Sequence, residues 1–333
     1  MVVSRGVEGS NGPEPAADLP AIGVRDLTKV YGDKKHPVRA VDGISLSIAP
    51  GQVFGFLGPN GAGKTTTIKM ICGLVAPTSG SIRVNGYDAV RQRSAAVMQL
   101  GAVLEGSRNV YWSMSAWQNL LYFGRLKGLR DREIRPRAEQ LLTELGLWER
   151  RDELVGGFSR GMQQKVAIAA ALITDPPILL LDEPTVGLDV QAALTVKHWI
   201  VQLARDFGKT VVLTTHQLDM AQELADRVAI IREGRIGADL PINELLARFR
   251  EDRYQITLGA PLVADGLRLP EGATVGHQDG VSTVTAPVRD QAELYGLLDQ
   301  LHERDVPLQS VTQVEPDLEE VFIRIVEGAW HDD

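Results

Sequence analysis

A glycine-rich segment at residues 58–65 has the clearest chemical pattern in the sequence. It reads GPNGAGKT and matches the pattern G-x-x-x-x-G-K-[ST]. Its glycines let backbone N–H groups curl around phosphate oxygens, Lys64 supplies a cation to the β and γ phosphates, and the Thr65 hydroxyl can ligate Mg²⁺. A plain glycine-rich turn before a helix is the alternative, but the segment lies between a predicted strand and a predicted helix, as this motif requires. The sequence therefore predicts nucleotide binding.

Two adjacent acids, Asp182 and Glu183, follow the apolar run ILLL. If this run is a strand, the first acid can hold Mg²⁺ through water and the second can reach an attacking water as general base. A pair of acids is also common where a strand simply leaves the core. The phosphate-binding pattern upstream favours the catalytic interpretation.

His216 and Ser159 lie in sequence patterns that are less specific for function. His216 ends an apolar run over 211–215, which places it at the carboxyl edge of a sheet, the usual ligand crevice of open α/β folds. A lone histidine there is more often structural, but its place downstream of the two acids favours function. Ser159 precedes a helix predicted over 162–173, whose N–H groups and dipole attract anions. Alone, Ser159 would be most simply an N-cap.

Short apolar runs alternate with helical patterns around these residues. This alternation predicts an α/β fold, with a mostly parallel sheet and helices on both faces. Polar and apolar residues alternate over 21–30 and 44–48, which predicts a small antiparallel layer. The predicted strands of the main sheet are 53–57, 178–181, 211–215 and 228–231, and the helices are 64–72, 191–205 and 217–225.

The remaining segments predict smaller units. Helical patterns at 116–126 and 135–145 predict a helical subdomain at about 106–163. After residue 250, strands, a helix capped by Asp290 and Glu293, a strand over 307–314 and a last helix predict a C-terminal α+β domain over 251–333. We interpret residues 1–20 as a flexible lead-in.

Composition excludes several classes of protein. A net charge of −8 argues against a surface that neutralises phosphate backbones, so we expect no nucleic acid partner. The single cysteine, Cys72, has no disulfide or metal-ligand companion, which suits a reducing compartment and a packed core thiol. No apolar run approaches the roughly 18 to 20 residues that span a bilayer, and no signal peptide pattern is present. We therefore expect no membrane crossing by this chain.

Four ordered segments within residues 22–246 resemble the nucleotide-binding subunit of ABC transporters. They read GPNGAGKTT, FSRGMQQKVAIAAAL, ILLLDEPTVGLD and TTHQLDMAQELADRVAII. The C-terminal EPDLEEVFIRIVEG is similar to the accessory domain of the drug and antibiotic exporter branch, which includes daunorubicin-resistance ATPases. The resemblance implies a P-loop NTPase fold with a RecA-like, mostly parallel sheet, an antiparallel β subdomain and a helical subdomain. The nucleotide-binding domain would span residues 21–246.

The resemblance also implies cofactors and partners. ATP and Mg²⁺ would be bound, and Ser159 and Gly161 would face the ATP of a second copy in a head-to-tail homodimer. Separate integral membrane permease subunits would hold the dimer at the cytoplasmic face of the membrane and pass the exported molecule.

The resemblance implies a role for each motif residue. Tyr31 would stack on adenine, Asp189 would lie at a dimer contact, and His216 would sense the γ-phosphate. The expected catalytic residues are Lys64, Glu183 and His216, and the expected metal ligands are Thr65, Asp182 and Glu105. The expected nucleotide-binding residues are Tyr31, Gly58, Pro59, Asn60, Gly61, Ala62, Gly63, Lys64, Thr65, Thr66, Ser159, Gly161 and Asp189.

Two motif positions depart from the family pattern. The family usually has a glutamine that touches Mg²⁺ where this chain has Glu105, and Gln99 lies six residues earlier. A carboxylate oxygen is also a hard ligand, so we hypothesise that Glu105 keeps the metal contact and adds a negative charge. In the signature segment, Arg160 and Met162 replace the commoner glycine and glutamine.

An aromatic segment over 108–114 contains Tyr111 and Trp112. Packing inside the helical subdomain is one interpretation. The other is a groove, formed with neighbours such as Trp117, that receives a short helix of a membrane-embedded partner.

Two other function classes fit less well. A soluble ABC protein that acts on ribosomes or DNA would need a second nucleotide-binding domain with a basic linker, or long heptad coiled coils. Another phosphate-loop enzyme, such as a kinase or GTPase, would not explain the signature segment or His216.

Overall fold

The computed structural model describes residues 19–33, 35–105, 109–250, 252–262, 268–278, 280–304, 306–314 and 316–327. The chain divides after residue 239 into two compact units, which are described separately below. Most of the predicted lead-in lies outside the described residues, as do 106–108 of the predicted insertion and aromatic segment. The predicted domain limits, 21–246 and 251–333, stay predictions.

The elements are numbered in chain order. The strands are β1 (Ile22–Tyr31), β2 (Val38–Ile48), β3 (Val53–Leu57), β4 (Ser79–Val84), β5 (Tyr87–Asp88), β6 (Leu100–Val103), β7 (Ile178–Asp182), β8 (Thr210–Thr214), β9 (Arg227–Arg232), β10 (Arg235–Pro241), β11 (Arg253–Leu258), β12 (Thr274–Gln278), β13 (Val281–Pro287) and β14 (Leu308–Gln313). The helices are α1 (Lys64–Ile71), α2 (Arg93–Met98), α3 (Ala116–Leu126), α4 (Asp131–Glu144), α5 (Arg160–Leu172), α6 (Val190–Arg205), α7 (Leu218–Leu224), α8 (Ile242–Arg248), α9 (Gln291–His302) and α10 (Leu318–Val326).

The main sheet has the order β10-β9-β3-β8-β7-β6. The pairs β3–β8, β3–β9, β7–β8 and β6–β7 are all parallel. Every residue of β3, β7 and β8 is buried, which explains why these strands read as continuous apolar runs rather than alternating ones. The predicted mostly parallel sheet is confirmed, and β6 adds an edge strand that the sequence did not predict.

A second sheet, of order β2-β1-β4-β5, forms the predicted antiparallel layer. Strand β1 pairs antiparallel with both β2 and β4. Buried residues of its inner face include Ile22, Val24 and Leu27. The layer is confirmed, and β4 and β5 extend it beyond the two strands that alternation predicted.

The helical insertion contributes α3 and α4, whose apolar sides share one core with α5 and α6. Helix α4 begins at Asp131, four residues before the predicted start at 135, because the Glu133 carboxylate accepts the Arg130 N–H at 2.9 Å and closes an earlier first turn. Pro136 therefore lies inside the helix. Helix α5 begins at Arg160, ahead of the predicted start at 162, because Ser159 caps it.

The second unit contains an antiparallel sheet of order β12-β13-β11-β14 with α9 and α10. Its core joins Ile256, Val284 and Ala286 of the sheet to Leu297 and Leu301 of α9. This matches the predicted α+β character. Asp290 accepts the Glu293 N–H at 2.9 Å as the N-cap of α9, but the Glu293 carboxylate accepts the N–H of Arg289 and not that of the cap.

Among the described residues, no helix is both long enough and apolar enough to cross a membrane.

Candidate functional site

The predicted phosphate loop and the acids Glu105, Asp182 and Glu183 meet at the carboxyl ends of β3, β7 and β8. These ends lie at one edge of the sheet because the strands are parallel. A cavity of about 150 Å³ lies there. Its lining consists of Ala40, Pro59, Asn60, Gly61, Gly63, Lys64, Thr65, Thr66, Glu105, Asp182 and Glu183.

The loop after β3 can take its shape only with glycine at two positions. A Cβ atom on Gly58 would lie 2.3 Å from the carbonyl oxygen of Ile231, and one on Gly63 would lie 2.5 Å from that of Ala40. Gly63 also has a φ of +111°, in the region that side chains avoid. Both neighbours are backbone atoms and cannot move aside cheaply. The glycines therefore allow the loop to pack closely while its N–H groups remain for phosphate oxygens.

Lys64 begins α1, and its ammonium group turns back onto the loop. Nζ donates to the carbonyl oxygens of Gly58 at 2.5 Å and Pro59 at 3.1 Å. Burial lowers the pKa of Lys64, while the nearby charges of Glu183, Asp182 and Glu105 raise it. An ammonium has three protons, so one donor is left for a phosphate oxygen.

Asp182 is 4% exposed at the end of β7. Its Oδ1 atom accepts a hydrogen bond from the Thr214 hydroxyl, whereas Oδ2 is buried without a partner among the described residues. A buried carboxylate oxygen left unpaired costs free energy, so this atom marks a place where a ligand supplies the partner. Thr214 was missed by sequence reasoning, and its only signal is a hydroxyl inside an apolar strand.

Glu183 faces His216 across the same strand ends. Glu183 Oε1 lies 2.9 Å from Nδ1 of His216, and Oε2 is buried with no partner in the described part of the chain. The Glu183 N–H donates to the Thr214 carbonyl at 3.0 Å, and its backbone has a φ of +53°. Left-handed backbone is uncommon for residues other than glycine and clusters at functional sites. One carboxylate oxygen is thus oriented by the histidine while the other stays available.

The oxygen ligands of this cavity suit Mg²⁺ bound together with a phosphate, and not a metal ion held by protein side chains alone. Thr65, Asp182 and Glu105 all line the cavity. Among the described residues, no group of three or more His, Cys, Asp and Glu side chains could hold a metal ion. Mg²⁺ typically keeps several waters and takes one or two carboxylates together with substrate phosphates. The unpaired Oδ2 of Asp182 fits such an ion.

Glu105, and not Gln99, lies at this cavity. Glu105 follows β6 at the carboxyl edge of the sheet, among the cavity residues. Gln99 precedes β6 at the opposite end, where its Oε1 accepts a hydrogen bond from Asn85 at 2.8 Å. This placement agrees with Glu105 as the residue at the family's glutamine position, and its contact with a metal stays a prediction.

Ser159, Gly161 and Asp189 lie outside the lining of this cavity. Ser159 Oγ accepts the Met162 N–H at 3.3 Å and caps α5, and Asp189 Oδ1 accepts the Ala192 N–H at 2.8 Å and caps α6. The structure therefore does not bring these three residues to the chain's own phosphate loop.

Two signature residues also make packing contacts that the sequence did not reveal. A Cβ on Gly161 would lie 2.6 Å from Cβ of Ala192, so glycine is needed where α5 meets α6. The Met162 sulfur accepts a hydrogen bond from Arg150 Nη1 at 3.2 Å. Arg150 also lies over the Phe158 ring, 5.1 Å from its centroid.

Tyr31 ends β1 and lies outside the cavity lining. It is 39% exposed, and Nζ of Lys29 lies 4.9 Å from its ring centroid. An exposed ring with a cation beside it suits stacking on a base, and that role stays a prediction.

Cys72 is a buried free thiol, as predicted. Burial raises its pKa to about 12. It lines a second, mainly apolar cavity of about 270 Å³ with Leu104, Phe123 and Lys127.

Two known protein families match this chain. Residues 41–186 match the family model described as ABC transporter, and residues 241–326 match the one described as ATP-binding protein DrrA1-3-like, C-terminal domain. The daunorubicin resistance ATP-binding protein DrrA3 of Streptomyces coeruleorubidus is 38% identical, over 92% of this chain and 95% of its own. The bacitracin transport ATP-binding protein BcrA of Bacillus licheniformis is 32% identical, over 91% and 96%.

Solved structures give the same result for the first unit. A dimeric ATP-binding cassette in a post-hydrolysis state, bound to ADP and Pi, aligns with a TM-score of 0.60 and 27% identity, over 66% of this chain and 98% of its own. An ATP-binding subunit of an ABC transporter aligns with a TM-score of 0.62 and 29% identity, over 69% and 93%.

Proposed function

Because this chain belongs to the ATP-binding proteins of ABC transporters, we propose that it is the ATP-hydrolysing subunit of an exporter that moves a drug, an antibiotic or another small molecule through separate membrane subunits. The similarity to daunorubicin resistance and bacitracin transport proteins covers more than 90% of the chain, so it includes both units. We place the protein at the cytoplasmic face of the membrane, held there by those subunits.

Two buried oxygens, Oδ2 of Asp182 and Oε2 of Glu183, carry the hydrolytic part of this proposal. Neither has a hydrogen-bond partner among the described residues, and both belong to the cavity that Lys64 lines. Glu183 accepts a proton from the attacking water, and His216 holds its carboxylate in place. Lys64 stabilises the negative charge that develops on the transferred phosphoryl group.

Three residues would hold Mg²⁺ together with the nucleotide: Thr65, Asp182 and Glu105. Bound there, the ion would neutralise charge on the phosphate oxygens. The Thr214 hydroxyl occupies Oδ1 of Asp182 and leaves Oδ2 for the ion or its water.

Two copies would form the working unit. Ser159, Gly161 and Asp189 lie outside the phosphate-loop cavity of their own chain, which supports their predicted role toward a second copy. The dimeric cassette structure to which the first unit is similar supports the same arrangement. Closure on ATP and opening after hydrolysis would move the attached membrane subunits.

Substituting Glu105 tests its predicted contact with the metal. We expect Glu105→Gln to shift the Mg²⁺ concentration for half-maximal ATPase activity by about threefold or more, because the change removes one negative charge beside the metal and the triphosphate. Steady-state ATPase assays over a Mg²⁺ titration measure this shift, with Gln99→Glu as a control at the far end of β6. Indistinguishable ATP affinity and turnover at all Mg²⁺ concentrations would sink the idea.

The aromatic residues after Glu105 are candidates for docking of the membrane partner. Tyr111 and Trp112 are 46% and 48% exposed, so burial in the helical core does not account for them. The Tyr111 ring contacts Phe123, 6.0 Å away between centroids, and Phe123 lines the apolar cavity of about 270 Å³. Trp117 instead packs edge-on against Trp148 at 5.8 Å, inside the helical insertion, so it lies with the core and not with the docking pair.

Alanine at Tyr111 and Trp112 separates docking from packing. We expect the double variant to stay folded and to keep its ATPase activity, although it loses the ring contacts of Tyr111 with Tyr122 and Phe123. Transport should fall by about tenfold or more, because aromatic anchors dominate interface energies. Trp117→Ala is the matched control and should lower the melting temperature, since that ring is packed. Unfolding of the Tyr111 and Trp112 variant would favour the packing interpretation.

The proposed function as a whole is tested with the intact complex. The chain is co-purified with any membrane subunits that neighbouring genes encode and is reconstituted in vesicles. Candidate compounds are then screened for stimulation of ATPase activity and ATP-dependent transport. Stimulation by an exported compound supports the proposal. ATPase activity without a membrane partner or transport would favour a soluble ABC ATPase.

A further inference from the structure

The turn between Glu183 and Asp189 passes directly beneath the side chain of Arg160. A Cβ atom on Gly187 would lie 2.6 Å from Nη1 of Arg160, 3.7 Å from its Cδ and 3.8 Å from its Cζ. Gly187 itself has a φ of +73°. The end of the guanidinium group therefore lies against this glycine, and a side chain at position 187 would require that end to move.

A second contact joins the start of α5 to the first turn of α6. Gly161 and Ala192 approach so closely that a Cβ on the glycine would lie 2.6 Å from that of the alanine. Ala192 also donates its N–H to Asp189, the cap of α6. The start of α5 thus contacts the turn before α6 at Gly187 and the first turn of α6 at Ala192.

Arg160 is not held by a charge of its own chain. Its side chain is exposed, and within the described residues it makes neither an ion pair nor a side-chain hydrogen bond. Packing on Gly187 is therefore the interaction that defines its place. The contact is end-on, because Nη1 lies 2.6 Å from the Cβ position of Gly187 and Cζ lies 3.8 Å from it. A lysine side chain ends one bond earlier than Nη1 and would not extend as far.

We propose that Arg160 is a positioning residue, which fixes the turn 183–189 against the start of α5 by packing its guanidinium group on Gly187. Ser159 and Asp189 then meet the second copy as one preorganised surface. Ordering these groups before association lowers the entropic cost of closing the dimer. The inference rests on the proposed function, in which both residues face the second copy.

The test uses the full chain with Glu183→Gln, in which ATP should hold the dimer closed. The ATP concentration for half-maximal dimer formation is measured by light scattering. We expect Arg160→Gly and Arg160→Lys each to raise it by about fivefold or more, since contacting groups couple at this level and the lysine side chain ends one bond short of Nη1. ADP binding to the monomer should change by less than about twofold, because Arg160 does not line the phosphate-loop cavity. Arg91→Gly, at another exposed arginine in a turn, is the charge-matched control.

A second substitution tests the contact itself. Asparagine tolerates left-handed backbone, so Gly187→Asn adds a side chain against Arg160 with little backbone strain. Alone it should weaken dimer formation by about fivefold or more, and in the Arg160→Gly background it should add less than about twofold, because the guanidinium is no longer there to be displaced.

Three results would overturn the inference. Arg160→Lys that matches the parent would mean that charge alone is used, and multiplicative effects of Arg160→Gly and Gly187→Asn would mean that the two residues act separately. Dimer formation unchanged by any of these variants would remove the positioning role altogether while leaving the proposed function intact. A Glu183→Gln chain that never dimerises with ATP would overturn the proposed function and this inference with it.

Discussion

Glu183→Gln will lower kcat for ATP hydrolysis by about 10²- to 10⁴-fold, the usual contribution of a positioned general base. Glutamine keeps the size of the side chain and its contact with His216 but cannot accept the proton of water. ATP binding should persist, because the phosphate loop and Lys64 are unchanged. The variant should therefore accumulate as an ATP-bound dimer, measured by ATPase assay and by size-exclusion chromatography with ATP.

The matched control for this experiment is Glu139→Gln, which removes an exposed carboxylate from α4. It should hydrolyse ATP like the parent chain. A Glu183→Gln chain that also hydrolysed ATP at the parent rate would refute Glu183 as the base.

Lys64→Met will weaken ATP binding by about 10- to 100-fold, because a hydrogen bond to a charged group contributes about 1.5–3 kcal/mol. Methionine approximates the stem of lysine but removes the ammonium group that donates to Gly58 and Pro59 and would reach a phosphate oxygen. Hydrolysis should fall further than binding, since the same charge stabilises the transferred phosphoryl group. Binding of a fluorescent nucleotide and steady-state turnover measure the two effects.

Lys69→Met is the control here, because Lys69 lies on the same helix outside the cavity. Melting temperatures of both variants show whether the loop survives loss of its two hydrogen bonds. Unchanged nucleotide affinity of a folded Lys64→Met chain would contradict the assignment.

The sequence predicts the main sheet well because its buried strands leave continuous apolar runs. The apolar runs of β7 and β8 are bounded by turns and lead into Asp182 and His216. Strand β6 escaped prediction because it has only four residues and lies at the edge of the sheet. The start of α4 was predicted four residues late, because the contact of Glu133 with Arg130 that sets the true start leaves no sign in the hydrophobic pattern.

The candidate site was also only partly predictable from the sequence. Motif spacing was enough to predict that Lys64, Asp182 and Glu183 lie close together, since all three lie at the carboxyl ends of parallel strands. Contacts between segments far apart in sequence could not be predicted. No local pattern reveals that Thr214 occupies one oxygen of Asp182, or that Gly161 is needed where α5 packs on Ala192.

The left-handed backbone of Glu183 links catalysis to the stability of the fold. A residue other than glycine pays about 1–3 kcal/mol in such a conformation, and the value is a sizeable share of the about 5–15 kcal/mol that keeps a domain folded. Glycine or asparagine at this position would relieve part of that cost and remove the carboxylate that we propose as the general base. Selection for hydrolysis therefore acts against selection for stability at this residue. In a descendant that no longer hydrolysed ATP, position 183 would drift toward those two residues.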